Sequence, residues 1–375
     1  MDPRKILVLG IGNAQADLLK WCKEQELEVH ACSYTNMGRG MHDADHFALI
    51  DIKDTGKIRQ YVNDHKIDFI YSIGSDIAMP TIARVAEDSD LFSFINFNTA
   101  NICQNKVRLR EALGADFKYN IPFRRAAEVA GFSDWNIYPA IIKPVDSQGQ
   151  RGIYEVESFE AVQSHFDKSS SFSSNGEVII EKYLSGDEIS INAYVFDNEV
   201  KFFYVSDRIS YSEYPGGIIK EHLYPSKYAH LEKDLKVLVA ETIHKLDIGN
   251  GPVYFQICIV NEVPYIIEVA PRFDGCHMWR LIKMTKGIDL LEIAMTHLLT
   301  GKINPSSFLT SEGDTNSRYR LKFLAQPPQS RVKYSTGQSA SGQLYTEHYY
   351  EEGDVVPEMN GYIEKTGYCI DRIEP

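Results

Sequence analysis

The sequence predicts a chain of the α/β plus α+β class. It has a parallel α/β unit at the N-terminus, a larger α+β centre and a small β-rich C-terminal part. Three observations predict this. Over residues 1–97 short apolar runs alternate with segments of helical spacing, the rhythm of βαβ units. From residue 98 onward extended segments dominate, with helical patterns at 105–113 and 235–246. Residues 306–375 hold short strands, glycines and charged turns, and little that reads as helix.

The elements follow in order. Residues 6–9 form an apolar run that stops at Gly10, and 14–24 place Leu18, Leu19 and Cys22 at helical spacing. Strands are expected at 29–32, 47–50 and 69–73, with helices at 58–62 and 77–86. In the centre, strands are expected at 140–143, 178–182, 190–196, 201–205, 252–260 and 265–269. Segment 169–176 is rich in Ser, Asn and Gly and reads as a surface loop. Domain boundaries are therefore expected near 97 and 305.

Composition bounds the partners. At about 150 residues per domain, 375 residues give two or three domains and enough chain for a full core. The 43% apolar and 24% charged fractions exclude a disordered, collagen-like or coiled-coil chain. A net charge of −13 argues against nucleic acid or an anionic membrane as main partner. The six cysteines form no CxxC pair and several sit in apolar runs, so reduced, buried thiols in a cytoplasmic protein are expected. The N-terminus enters a strand pattern without the apolar stretch of a signal peptide, and no later segment reads as a membrane span.

Two motifs have plain readings. GIGNAQ, from Gly10 to Gln15, follows a strand and opens a helix, as a dinucleotide-binding turn would. Gln15 stands where the third glycine belongs, and the second strand ends at Ser33 and Tyr34 without a ribose-binding acid. The expectation is a tight turn that borders another domain's site. HDADH, from His42 to His46, has metal-ligand spacing only if helical. It lies after Gly38 and Gly40 and before a strand, so a solvated loop entering a strand is expected. No GxxxxGK[ST], GxSxG or HExxH motif is present.

Three segments carry chemistry. Strand 140–143 ends in Lys143, and a lysine at the end of an apolar strand is costly to bury unless it meets an anion. The polar loop after it contains Ser147, Gly149, Arg151 and Gly152, with glycines that let backbone N–H groups approach phosphate oxygens. Next, Glu181, Lys182 and Leu184 end a strand, and Glu188 follows a Gly-Asp turn. Apolar walls for a purine and a carboxylate for a ribose are both available there. Third, strands 252–260 and 264–270 flank a turn at 261–263. If Val260 faces Pro264, Gln256 lies opposite Glu268. Phe255, Ile257, Ile259, Tyr265, Ile267 and Val269 then form the core face. A buried carboxylate beside an amide suits Mg²⁺ that carries substrate phosphates. Arg272 and Arg280 lie just beyond.

These segments, in this order, resemble the ATP-grasp superfamily of ATP-dependent ligases. The carboxylate–amine ligases and the carbamoyl-phosphate-synthase and biotin-carboxylase type enzymes are most similar. The resemblance covers nearly the whole chain. It includes the turn at Gly10, the helix begun by Asp76, the Lys106 helix, the Lys143-Pro144 strand, the 181–188 hinge, the 268–272 segment EVAPR and the closing 367–370 segment GYCI. It implies a two-lobed ATP-grasp architecture, with units at 1–97, 98–305 and 306–375 and a mobile small lobe at about 120–185. The reaction it implies joins a small-molecule carboxylate to an amine through an acyl phosphate. ATP and Mg²⁺ are the cofactors, with Mn²⁺ as a substitute, and a homodimer is the assembly it leaves open.

The resemblance also assigns roles. Lys106 and Lys143 hold ATP phosphates, and Ser147, Gly149, Arg151 and Gly152 fold over the triphosphate. Glu181, Lys182 and Leu184 contact adenine, largely through the backbone of Lys182 and Leu184, and Glu188 the ribose. Gln256 and Glu268 ligate Mg²⁺, and Arg272 faces the phosphoryl group or the substrate carboxylate. Arg208, in the loop 207–217, and His277 and Arg280 are substrate candidates. Two departures stand out: Ala270 occupies the position where the family usually has Asn, and Gln256 often appears as Glu or Asp in relatives. Bicarbonate activation, a non-catalytic nucleotide-binding module and an NAD oxidoreductase remain as rival readings.

Overall fold

A computed structural model describes residues 3–145, 152–214, 217–309, 317–334, 342–359 and 361–373. The N-terminal unit runs β1 (Lys5–Leu9), α1 (Asn13–Glu24), β2 (Glu28–Ser33), β3 (His46–Leu49), α2 (Thr55–His65), β4 (Phe69–Tyr71), α3 (Ala78–Asp88) and α4 (Phe97–Gln104). Its strands form a parallel sheet in the order β3-β2-β1-β4. Ile6, Leu7, Val8 and Leu9 are all fully buried, because helices cover both faces of a parallel sheet. The turn after β1 is tight. Gln15 folds back so that its Oε1 accepts from the Gly12 N–H at 2.9 Å, and its amide donates to the Ile73 carbonyl. Gln15 thus stands where a third glycine would serve close packing of helix on strand.

The next elements are α5 (Lys106–Leu113), β5 (Phe123–Ala126), β6 (Ala140–Pro144), β7 (Tyr154–Val156), α6 (Phe159–Ser170) and β8 (Val178–Lys182). Strands β5 to β8 form a small antiparallel sheet in the order β5-β8-β6-β7. Its own core gathers Phe132, Trp135, Ile142, Val162, Phe166, Val178 and Ile180. Strand alternation sends Ala140 and Ile142 into that core and leaves Lys143 on the other face. The loop expected at 169–176 begins later, since α6 carries through Ser170 and buries Ser169.

A third, larger sheet follows. It contains β9 (Asp187–Phe196), β10 (Glu199–Ser210), β11 (Ile219–Tyr224), then after α7 (Glu232–Lys245) β12 (Gly251–Val260) and β13 (Val263–Ala270). After α8 (Met278–Lys286) and α9 (Leu290–Thr300) come β14 (Arg318–Gln326), β15 (Gln343–His348) and β16 (Glu364–Ile373). The antiparallel order is β13-β12-β9-β10-β11-β14-β16-β15. The C-terminal strands therefore extend the central sheet through the β11–β14 pairing. On one face Leu235, Leu238, Val239 and Ile243 of α7 pack on Ile189, Ile191, Phe255 and Ile257. On the other face α8 and α9 join the core of the N-terminal unit, through Trp279, Leu281, Ile282 and Met295.

The β12–β13 hairpin corrects one premise of the sequence reading. Val260 faces Val263, and Ile259 faces Pro264. A bulge between Gln256 and Ile257 then shifts the register, so Gln256 still faces Glu268. The extra residue also moves the core face: Ile266, not Tyr265 or Ile267, enters the core with Phe255, Ile257, Ile259 and Val269. The carbonyl of Ile267 accepts from Arg110 Nη2 at 2.9 Å.

Candidate active site

Strand β9 reads Glu188, Ile189, Ser190, Ile191, Asn192, Ala193, Tyr194, Val195. Ile189, Ile191, Ala193 and Val195 lie in the α7 core, so Glu188, Ser190 and Asn192 share the opposite face. Register extends this polar face across the sheet. Glu268 pairs with Gln256, Gln256 with Ser190, and Ser190 with Ser206. Glu188 pairs with Arg208 and Cys258. Gln256 Nε2 donates to Glu188 Oε2 at 2.9 Å, and Arg208 Nη1 donates to the same oxygen. Arg208 also donates to Ser210 Oγ at 3.0 Å and to the Gly217 carbonyl at 3.1 Å.

Glu268 is raised by its surroundings. Burial, and then the like charge of Asp76, push its carboxyl above the ordinary carboxylate range; Arg272, Lys106 and Arg208 pull it back. Arg272 Nη2 lies 3.8 Å from Glu268 Oε1. A carboxylate raised by burial and by a neighbouring like charge is a seat for a cation, and oxygen donors on Glu268 and Gln256 suit Mg²⁺. The residues present therefore fit a divalent ion. Ala270 is fully buried and offers no side-chain donor.

The facing cluster comes from the small sheet and α5. Lys143 and Glu181 lie on one face of β6 and β8 as diagonal neighbours and form an ion pair. Arg110 Nε donates to Glu181 Oε1 at 3.0 Å, with both side chains buried. Burial alone would raise the Glu181 carboxyl, but Lys143 and Arg110 outweigh it and bring it down to about 2. Burial lowers the Lys143 ammonium, Glu181 opposes this, and Lys106 adds to the lowering. Lys106 is exposed at the start of α5, where Asn105 caps the helix by accepting from the Arg108 N–H at 3.0 Å. It acts on both Lys143 and Glu268, so the two clusters share one electrostatic environment. Lysines that repel each other in this way have charge to offer an anion.

The segment between the lobes is tight. The Lys182 N–H donates to the Pro122 carbonyl and the Tyr183 N–H to the Pro139 carbonyl, both at 3.0 Å. A Cβ on Gly186 would stand 2.1 Å from the Ile259 carbonyl oxygen, so only glycine fits there. Leu184 is half-buried between these points. Gly152 has φ +74, with Phe172 and Pro144 packed where a Cβ would stand. Ser147, Gly149 and Arg151 lie outside the described residues.

His277 and Arg280 fall in a different cluster. Both ring nitrogens of buried His277 are engaged, Nδ1 with Asp17 Oδ2 at 3.0 Å and Nε2 with the Tyr349 hydroxyl at 2.7 Å. Arg280 donates to the Tyr368 hydroxyl at 2.8 Å and to Asp17 Oδ1 at 3.3 Å. This network ties α1 to α8 and to the C-terminal strands. A groove of about 780 Å³ beside β10, lined by Phe203, Tyr204, Lys236 and Lys286, contains none of the predicted site residues.

Three residues escaped the assignment of roles from sequence. Asp76 pairs with Arg272, Arg110 shares Glu181, and Asp274 lies buried two residues past Arg272. Asp274 Oδ1 accepts from the Cys276 N–H at 3.2 Å; its Oδ2 has no hydrogen-bond partner among the described residues. The polar alternation of β9 was a usable signal for the cleft face. Nothing local marks Arg110, which lies in an ordinary amphipathic helix.

Comparison with known proteins agrees with this fold. The ATP-grasp domain family matches residues 103–276. Dapdiamide A synthase of Enterobacter agglomerans is 23% identical over 265 residues, which are 64% of this chain and 58% of that protein. The chain thus spans less than two thirds of that relative's length. The structure of phosphoribosylglycinamide synthetase from Anaerococcus prevotii superposes with a TM-score of 0.81 at 19% identity, covering 100% of this chain and 95% of that one. The L-amino acid ligase of Bacillus licheniformis gives a TM-score of 0.75 at 16% identity, with 100% and 95% covered. A parallel α/β unit, a small antiparallel lobe and a large sheet are the parts of one architecture, and within it residues 103–276 form an ATP-grasp domain.

Proposed function

We propose that the protein is an ATP-dependent carboxylate–amine ligase that forms an amide through an acyl phosphate and releases ADP and phosphate. The observation that carries this reading is Glu268, half-buried beside Asp76 and Arg272 and acted on by the same Lys106 that acts on Lys143. A cation seat and a pair of phosphate-facing lysines then meet across one cleft. Lys106 and Lys143 hold the phosphates. Adenine lies along 181–184 and the ribose at Glu188. Arg272, fixed by Asp76, orients the acid and balances charge as a carboxylate oxygen bonds to the γ-phosphorus and ADP leaves. An amine then attacks the acyl carbon, loses a proton, and phosphate departs. Mg²⁺, held by Glu268 with Gln256, would neutralise phosphate charge.

The names of two similar proteins, an L-amino acid ligase and dapdiamide A synthase, favour an amino acid as one of the two substrates. No helix among the described residues is long and apolar enough to cross a membrane. The test is a screen of amino acids, singly and in pairs, for ADP release with Mg²⁺. Release that rises several-fold with one carboxylate–amine pair, matched by an amide product, supports the ligase. Release stimulated only by bicarbonate, or by no carboxylate, overturns it.

A further inference from the structure

The HDADH segment takes no part in the nucleotide cleft, yet the fold brings its second histidine into a cluster. His46 opens β3 and pairs in register with His30 of β2. Glu28, two residues before His30, lies on the same side of the sheet edge. Glu28 Oε1 is 3.1 Å from His30 Nε2 and 3.2 Å from His46 Nε2, and the three donor atoms all lie within 4.8 Å of one another. Bonds of about 2.0–2.1 Å to a tetrahedral ion set its ligand atoms roughly 3.3 Å apart, and both distances to Glu28 match that spacing.

The surroundings fit a ligand set. His30 is 1% exposed, and its other nitrogen, Nδ1, is 2.9 Å from the Tyr61 hydroxyl. With Nδ1–H donating to that hydroxyl, the Nε2 lone pair points at Glu28, the second-layer arrangement that orients metal-bound histidines. Tyr61 is itself held by stacking on His65 at 4.1 Å. The His46 side chain is 52% exposed, which gives an ion and its waters a path of entry. Lys5 is the competing cation: its Nζ lies 3.2 Å from the same Glu28 oxygen, and at 30% exposure it can swing to solvent.

We propose that Glu28, His30 and His46 form a binding site for a divalent transition-metal ion such as Zn²⁺ or Co²⁺, separate from the Mg²⁺ seat at Glu268. Two imidazoles and one carboxylate favour such an ion over Mg²⁺, which prefers an all-oxygen octahedron.

The test titrates the untagged full chain with Co²⁺, without nucleotide and with Mg²⁺ in excess to fill the oxygen site. One Co²⁺ per chain is expected, with the visible absorption of a low-coordinate nitrogen–oxygen site. His46→Gln, at an exposed position that leaves the fold intact, removes the absorption. Tyr61→Phe weakens binding roughly tenfold. Lys5→Met tightens it. Basal ADP release is unchanged in His46→Gln, since the site lies outside the nucleotide cleft. No stoichiometric Co²⁺ binding by the wild type, or the same spectrum and affinity in His46→Gln and Glu28→Gln, overturns the proposal.

Discussion

Arg272 lays two nitrogens along the Asp76 carboxylate, Nε on Oδ1 at 2.8 Å and Nη2 on Oδ2. It also donates to the Phe273 carbonyl at 2.7 Å. The end of β13 is thereby fixed to the N-terminal unit, 196 residues away in sequence. Asp76→Asn keeps the shape and removes the charge. A charge-assisted bond is worth about 2 kcal/mol, so ADP release should fall roughly thirty-fold in kcat. A wild-type kcat in the variant would remove Asp76 from the account.

Glu181 lies between Arg110 and Lys143. Its carboxyl is held at about 2 in the fold against 4.5 ordinarily, so its contribution is complete above 4.5 and is lost as pH falls from there toward 2. Glu181→Gln leaves two cations without their buried partner and should cost about 3–5 kcal/mol. Urea unfolding from pH 7 to pH 3 checks both. The wild type should lose stability below 4.5, and the variant should start lower and lose less over that interval.

His222, fully buried on β11, titrates in the opposite sense. Burial, then Arg208 and Lys365, press its imidazole down to about 3 from 6.5. The unfolded chain therefore binds a proton that the fold refuses. Stability from this group is whole above 6.5 and declines as pH drops toward 3, by at most about 1.4 kcal/mol per pH unit. His222→Asn should flatten the melting temperature between pH 6.5 and 4.5. An unchanged slope would show that other groups set it.

Gln256 donates to Glu188 and faces Glu268, so Gln256→Glu would crowd a third carboxylate onto the cleft face. Without Mg²⁺ the variant should be destabilised by about 1 kcal/mol. Added Mg²⁺ should raise its melting temperature more than that of the wild type, because an ion that binds only the folded state stabilises it more the tighter it binds. Equal shifts in the two proteins would place the ion elsewhere.

How far the sequence was legible follows from the range of each signal. The βαβ rhythm, the Lys143 strand and the 178–182 strand are local patterns, and they appear at or within a few residues of the expected places. The facing of Gln256 and Glu268 is right although its premise is not. The turn pairs Val260 with Val263, and a bulge that no residue announces restores the register. Helices α8 and α9 went unread, though Asp289 caps α9 and Gly287 and Gly301 end the two helices in left-handed geometry. His277 shows the limit of local reading. Its neighbours in sequence suggest a site, whereas its hydrogen-bond partners, Asp17 and Tyr349, come from distant segments.

The central claim is that a carboxylate oxygen takes the γ-phosphoryl group of ATP. The direct measurement supplies the enzyme with Mg²⁺, ATP and amino acids labelled with oxygen-18 in their carboxylates, and reads the released phosphate by mass spectrometry. The account requires one labelled oxygen in each phosphate formed alongside ADP. ADP release with wholly unlabelled phosphate would contradict it.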